Sequence, residues 1–296
     1  MTAVITVPAS LDERSFETVL DQLAPIPADA KVLVDARHTR FATPYGLTSL
    51  LCLAQTRLEK PEFAPPEDES VGSYWARSNF YRYAAELYTV RGTLPRPRAS
   101  QDSDVLLEVT PIARSEDVHL VVDRVKDRAT HILTTVLNLE PRATMGFTMT
   151  LSEACQNIVE HAGRGGWVMV QRYNWSKRRV GRDVVQIAVC DAGVGFSKSL
   201  ETSRARALAD RWDDATALEN GVINGVSRFQ DPGRGQGLKG IRGYVVRFDG
   251  KLSVRSGTAR IALNPEWEDD VPRQEKLSPM PGAQLQVIIP KRVPKP

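Results

Sequence analysis

Glu153 and Asn157 stand one helical turn apart in the run Leu151-Ser152-Glu153-Ala154-Cys155-Gln156-Asn157-Ile158-Val159-Glu160-His161. At helical spacing they share a stripe with Glu160 and His161, while Leu151, Ala154, Cys155, Ile158 and Val159 face elsewhere. An amide oxygen can ligate a hard cation such as Mg²⁺. A carboxylate one turn before it can polarise a water or a hydroxyl. Together they suit an ATP site. An ordinary amphipathic helix with a solvated polar face carries the same pattern, so this box needs others beside it.

Two more boxes follow. Val189-Cys190-Asp191-Ala192-Gly193-Val194-Gly195-Phe196 ends an apolar strand with an acid and two glycines. The glycines permit a tight turn with close backbone approach, and the Asp191 carboxylate can accept a hydrogen bond from an exocyclic amine such as that of adenine. A plain strand-to-loop turn also uses Asp and Gly. Gly233-Arg234-Gly235-Gln236-Gly237-Leu238-Lys239-Gly240-Ile241 then runs into a helix reaching about Phe248. Glycines before a helix offer free N–H groups and a positive dipole end to phosphates; a flexible loop is the alternative. No Lys-Ser/Thr pair follows at P-loop spacing, and no Rossmann strand precedes the glycines.

These boxes have to be held by the elements around them. In the first hundred residues strand and helix signals alternate: a short β-rich run over Val4–Val7, an N-cap at Ser10 to Glu13, and a helix with Phe16, Val19, Leu20 and Leu23 on one face. A buried-strand pattern follows over Lys31–Asp35, then a helix over Tyr45–Arg57 and an aromatic-rich helix over Ser73–Tyr88. The order predicts a small α/β domain over 1–91. Gly92 to Asp104 is proline-containing and polar, which marks 92–105 as a linker. The second domain, 106–296, is expected to hold helices over Asp117–Leu137 and Arg142–His161. Its expected strands are Trp167–Tyr173, Val184–Cys190, Lys251–Arg255 and Gln284–Ile289, with a polar stretch from Ser197 to Asp231 between the second and third.

The three boxes, in this order and with these separations, resemble the N, G1 and G2 boxes of the GHKL superfamily of gyrase, histidine kinases and MutL. Gly282-Ala283-Gln284-Leu285-Gln286-Val287-Ile288-Ile289-Pro290 resembles its last strand. The resemblance implies an α/β sandwich with a mixed sheet and an ATP lid, and ATP with Mg²⁺ as cofactors. It implies Glu153 as catalytic base and Asn157 as the Mg²⁺ ligand. Asp191 would bind the adenine amine above the turn of Gly193 and Gly195, and Gly233, Gly235, Gly237 and Leu238 would cradle phosphates. The lid would be Ser197 to Asp231. Lys239 either reaches a phosphate or faces solvent, and His161 is as well explained by packing as by function.

The N box, with the upstream run Asp127-Arg128-Ala129-Thr130-His131-Ile132-Leu133, is closer to bacterial anti-sigma-factor serine kinases than to histidine kinases. His131 lacks the phosphoacceptor context, and the transducer domain of gyrase and MutL is missing from the pattern. The N-terminal run Val32-Leu33-Val34-Asp35-Ala36-Arg37, then Phe41-Ala42-Thr43-Pro44-Tyr45-Gly46-Leu47, resembles a STAS (anti-anti-sigma-like) domain. Tyr45 stands where regulated members carry a phosphorylatable serine, with Thr43 and Thr48 nearby. The implied function is a serine/threonine protein kinase or slow ATPase in a partner-switching pathway. The alternative is an ATP-controlled interaction switch. The implied partner is a STAS-type or sigma-factor-like regulator.

Composition narrows the remaining classes. A net charge of +3 over 296 residues, with acids and bases interspersed, gives no sign of a nucleic-acid partner. No segment approaches the ~18 apolar residues that cross a bilayer, and Met1 to Phe16 lacks the basic and apolar regions of a secretion signal. Cys52, Cys155 and Cys190 are far apart and form no CxxC pair, so the chain reads as cytoplasmic and reduced. A homodimer through the aromatics Tyr74, Trp75, Phe80 and Tyr81 is the other partner considered; packing within their own domain is the alternative.

Overall fold

The computed structural model describes residues 2–96, 105–131, 134, 138, 140–175, 181–203, 206, 210–226 and 237–292. The N-terminal unit is built on four parallel strands in the order β1 (Ala3–Thr6), β3 (Val32–Asp35), β5 (Glu62–Ala64) and β6 (Thr89–Val90). A two-stranded ribbon of β2 (Ser10–Leu11) and β4 (Phe41–Ala42) accompanies them. Helix α1 (Glu13–Leu23) starts at Asp12, whose side chain accepts from the Arg14 and Ser15 N–H groups while Ser15 Oγ accepts from Asp12 N–H. That reciprocal capping box satisfies the first-turn donors. Helix α2 (Pro44–Gln55) starts at the Thr43 cap with Pro44 in its first turn, where a missing N–H is harmless.

The aromatic segment differs from expectation. It forms two helices, α3 (Glu69–Arg77) and α4 (Phe80–Leu87), because Asn79 adopts a left-handed φ of 64° that breaks the run. Trp75 and Phe80 are buried against Phe63, and Tyr81 is buried against Trp75 and Phe80, so these three pack within their own unit; Tyr74 is half-buried beside Tyr173 of the second unit.

The second unit is a seven-stranded sheet in the order β12, β11, β10, β13, β9, β8, β7. Its strands are β7 (Val105–Ile112), β8 (Gly166–Asn174), β9 (Asp183–Asp191), β10 (Lys251–Gly257), β11 (Ala259–Leu263), β12 (Arg273–Gln274) and β13 (Met280–Pro290). The expected mixed sheet is corrected: every pairing is antiparallel. Strands β9 and β10 do run in the same direction, but β13 lies between them, antiparallel to both. The chain is therefore mixed α/β, with one parallel and one antiparallel sheet. Strands β7, β11 and β12 had no counterpart in the sequence expectation. The expected linker falls largely on residues 97–104, outside the described residues.

Helices α5 (Ser115–His131), α6 (Pro141–Asn157) and α9 (Gly237–Arg247) belong to the same unit as that sheet. Phe147, Leu151, Cys155, Ile241 and Val245 pack on Val168, Val170, Ile187, Val189, Leu252 and Val287. The opposite sheet face, presented by Trp167, Met169, Ala188 and Cys190, is buried against the N-terminal unit. Both faces being covered explains why β8 and β9 read as continuous apolar runs rather than alternating ones. Helix α2 fills the space between the two sheets, and Pro44 through Ala54 are all buried. A helix apolar all round belongs in such a sandwich.

Charge also ties the units together. Glu13, only 3% exposed, accepts from Lys251 Nζ at 3.0 Å, Arg260 Nη1 at 2.8 Å, Gln286 Nε2 at 2.8 Å, and the Ser253 hydroxyl. Asp270 also accepts from Lys251 and Arg260, each at 2.7 Å. Arg255, fully buried, donates to Glu17 of α1. Four buried charges that cancel in sign can stay in a low-dielectric seam because each is paired and hydrogen-bonded.

Candidate nucleotide site

Strand β9 delivers Asp191 to the floor of a cleft, 6% exposed. Its Oδ1 accepts from Gly193 N–H at 2.8 Å, and the carboxylate accepts a second backbone N–H from Ala283. Burial pushes its pKa up to about 6, against the pull of those two N–H groups. The turn beyond it is tight. A Cβ on Gly193 would lie 2.0 Å from the Ala162 carbonyl oxygen, and one on Gly282, at φ +82°, would lie 2.1 Å from the Asp191 carbonyl oxygen. Ser256 Oγ accepts from Phe196 N–H at 3.0 Å and donates to the Gly282 carbonyl at 2.7 Å, bracing the turn from β10.

A direct test of how tightly the turn sits on Ala162 is Gly193→Ala. It should destabilise the chain by about 1–3 kcal/mol in urea unfolding, because backbone rather than a flexible side chain blocks the methyl group. A cost near zero would mean that the turn relaxes freely.

The opposite wall is α6, which ends at Asn157 and continues as a π-helical turn over Ile158–Ala162. Such turns displace a helix face and recur at functional sites. Asn157 lines the cleft with Ala154, Ile158 and Ala162, facing Asp191. Glu153 is exposed at the rim: its Oε2 lies 2.6 Å from where a Cβ on Gly237 would stand, so the carboxylate abuts the first residue of α9. Gly237 and Leu238 line the cleft, whereas Lys239 is exposed and lies outside the lining. Gly233 and Gly235 lie outside the described residues, as does the side chain of His161.

Three short elements complete the site. Helix α7 (Gly195–Ser199) contributes Phe196 and Ser199, followed by Leu200. Beyond it, α8 (Asp214–Leu218) runs into a second π-helical turn, Glu219–Ile223, that brings Gly221 and Val226 to the cleft. The expectation of a long lid over Ser197 to Asp231 is therefore corrected over 210–226. Ala215, Ala217, Leu218 and Val222 are buried, and Asp214 Oδ2 accepts from the Thr258 N–H and hydroxyl of the β10–β11 hairpin. These small apolar residues at helical spacing outweigh the polar composition. Residues 227–231 lie outside the described residues.

The cleft opens to solvent, and about 810 Å³ of empty space lies within it and its mouth together. Its walls are mostly apolar, from Ile158, Val189, Phe196, Leu200, Val254 and Leu285, with polar groups at Asn157, Asp191 and Ser199. That is the character of a small-molecule site: an apolar slot with few, placed polar atoms. Of the residues singled out from the sequence, it gathers Asn157, Asp191, Gly195, Gly237 and Leu238, with Gly193 beneath and Glu153 at its edge. Sequence reasoning missed Phe196, Leu200, Gly221 and Ser256. Only Phe196 carried a signal, standing directly after the Gly193–Gly195 turn.

No protein-family model matches the chain, and no curated protein is significantly similar to it in sequence.

Proposed function

We propose that the chain is a Mg·ATP-binding regulatory protein of the GHKL type, nearest in its boxes to anti-sigma serine kinases, with a STAS-like N-terminal unit. What supports this most is convergence. Asn157 of α6, Asp191 at the end of β9 and Gly237 at the start of α9 come from distant segments to one cleft. The residues suit the ligand: a buried carboxylate for an exocyclic amine, apolar walls for a purine, an amide oxygen for Mg²⁺, and a helix start for phosphates. Mg²⁺ would supply charge neutralisation at the phosphates when bound, and it needs few protein ligands. Asn157 would hold it, and Glu153 would accept the proton of the attacking hydroxyl or water. The acceptor would be a separate STAS-type protein.

A second reading, an ATP-controlled interaction switch with little turnover, draws on one observation. Thr43, Tyr45 and Thr48, the hydroxyls around the STAS-like turn, are 4%, 1% and 0% exposed, sealed in the seam with the large sheet. A phosphoryl group cannot reach them in this arrangement, so the N-terminal unit acts as a docked regulator and not as the substrate. Calorimetry with Mg·ATP, alongside phosphate release with and without a STAS-type protein, decides between the readings. Glu153→Ala should bind ATP within a few-fold of wild type and lose turnover by about a hundredfold or more. Binding without turnover in wild type would leave the switch, and no binding at all would end both readings.

A further inference from the structure

Asp191 lines the cleft, but its sequence neighbours Cys190 and Ala192 are buried with the core of the N-terminal unit. Alternation along β9 puts Cys190 on that far face. There its Sγ lies 3.2 Å from Thr48 Oγ1 and 3.7 Å from Ser49 Oγ, both on α2. The residue paired with Cys190 across the sheet is Gln284 of β13. Ala283 and Leu285 line the cleft, whereas Gln284 between them does not, and it is fully buried. Gln284 stands behind the site, outside any contact with its ligand.

The Gln284 Nε2 donates to two main-chain carbonyls, that of Asp191 at 2.9 Å and that of Pro281 at 3.0 Å. Both of its hydrogens are used, and the amide has one orientation, because a flip would set Oε1 against two carbonyl oxygens. Oε1 is left as a buried acceptor with no hydrogen-bond partner among the described residues. An apolar side chain would fill this strand position without that cost. What the glutamine adds is a tie across the turn. It holds the carbonyl of Asp191 and the chain entering Gly282, which itself lies close against that carbonyl. Ala283, next along, donates its N–H to the Asp191 carboxylate. One side chain thereby fixes the main chain of Asp191 and the strand that supplies one of its N–H donors.

We propose that Gln284 is a positioning residue for nucleotide recognition: from behind the sheet it sets the aim of the Asp191 carboxylate, and so the selection of a base bearing an exocyclic amine. The inference rests on the reading of the cleft as an adenine-nucleotide site. Hydrogen bonds weaken steeply with distance and angle. A carboxylate swung slightly off line loses the amine, while the apolar walls and the phosphate contacts stay in place.

The test is calorimetric titration of the full chain with Mg·ATP and with Mg·ITP, inosine triphosphate carrying a carbonyl where adenine has its amine. Wild type should prefer ATP by about a hundredfold or more, because a buried carboxylate rejects that carbonyl. Gln284→Met keeps the length of the side chain and removes its donors. It should weaken ATP by about tenfold and leave ITP within about threefold, so the preference shrinks. Gln284→Asn, whose amide is one methylene short, should do the same and serves if Gln284→Met does not fold; thermal unfolding checks each. A general loss of stability would leave the ratio of the two nucleotides unchanged in the folded protein. An undiminished preference in the variants, or equal weakening of both nucleotides, would overturn the proposal. The site reading would survive that result if Asp191→Asn still abolished the preference. A wild type that binds neither nucleotide, or both equally, would remove the adenine reading and this inference with it.

Discussion

Asp191→Asn should weaken ATP binding by about a hundredfold or more in calorimetry. The carboxylate accepts from the Gly193 and Ala283 N–H groups and is proposed to accept from the adenine amine as well. An amide in its place offers one oxygen and one NH₂, so either a buried backbone donor or the adenine amine meets another donor. A lost charge-assisted hydrogen bond plus an unpaired buried donor amounts to roughly 3 kcal/mol, or two decades of affinity. The wild type should also show a pH dependence that the variant lacks. Burial raises the Asp191 pKa to about 6, and only the ionised form accepts from the amine without rearrangement. Affinity should therefore fall as the pH drops through 6, approaching tenfold per unit below it. Stability should move the other way. A pKa raised above its unfolded value means that ionised Asp191 opposes folding at neutral pH, and this penalty is relieved as the pH falls through 6. Parallel pH profiles for binding and unfolding would contradict the assignment.

The second large effect is expected at the seam. Glu13→Ala should cost about 3–5 kcal/mol in urea unfolding, because Lys251 and Arg260 are left buried with Asp270 as the carboxylate they share. Burial alone would raise the Glu13 pKa, but Lys251 and Arg260 together overrule it and hold the carboxyl below its ordinary range. The ion pair Arg91–Glu62 is the control: it is solvated, and Arg91→Ala should barely move the midpoint. A Glu13→Ala midpoint as little changed as that of Arg91→Ala would mean that water enters the seam and the two units are held by apolar contact alone.

How much of this was legible in the sequence differs by element. Residues tied to local periodicity were readable: the Glu153–Asn157 stripe, the Asp191 turn, and the buried runs of β8, β9 and β13. Strand β7 was missed because Glu108, Thr110 and Pro111 interrupt its apolar pattern, and β11 because five residues carry too little periodicity. Glu13 was read as a first-turn helix acid, which it is. Nothing nearby says that its partners lie some 240 residues away, on strands of another unit. The cleft was half legible for the same reason: its glycines and polar groups announce themselves locally, whereas Phe196, Leu200 and Ser256 acquire their roles only through packing. The break at Asn79 was hidden by strong aromatic periodicity on both sides of it.

Helix α2 carries a consequence for biosynthesis. Its cover is β8 and β9, which begin at Gly166, so the ribosome must add more than a hundred residues after Gln55 before that cover exists. At ~5–20 residues per second, that interval lasts on the order of ten seconds. Throughout it, a helix destined to be buried on every side has apolar residues facing water. The N-terminal unit cannot reach its final state as it emerges. During those seconds the nascent chain is a client for a holdase, and premature termination between α2 and β8 yields a fragment prone to aggregate.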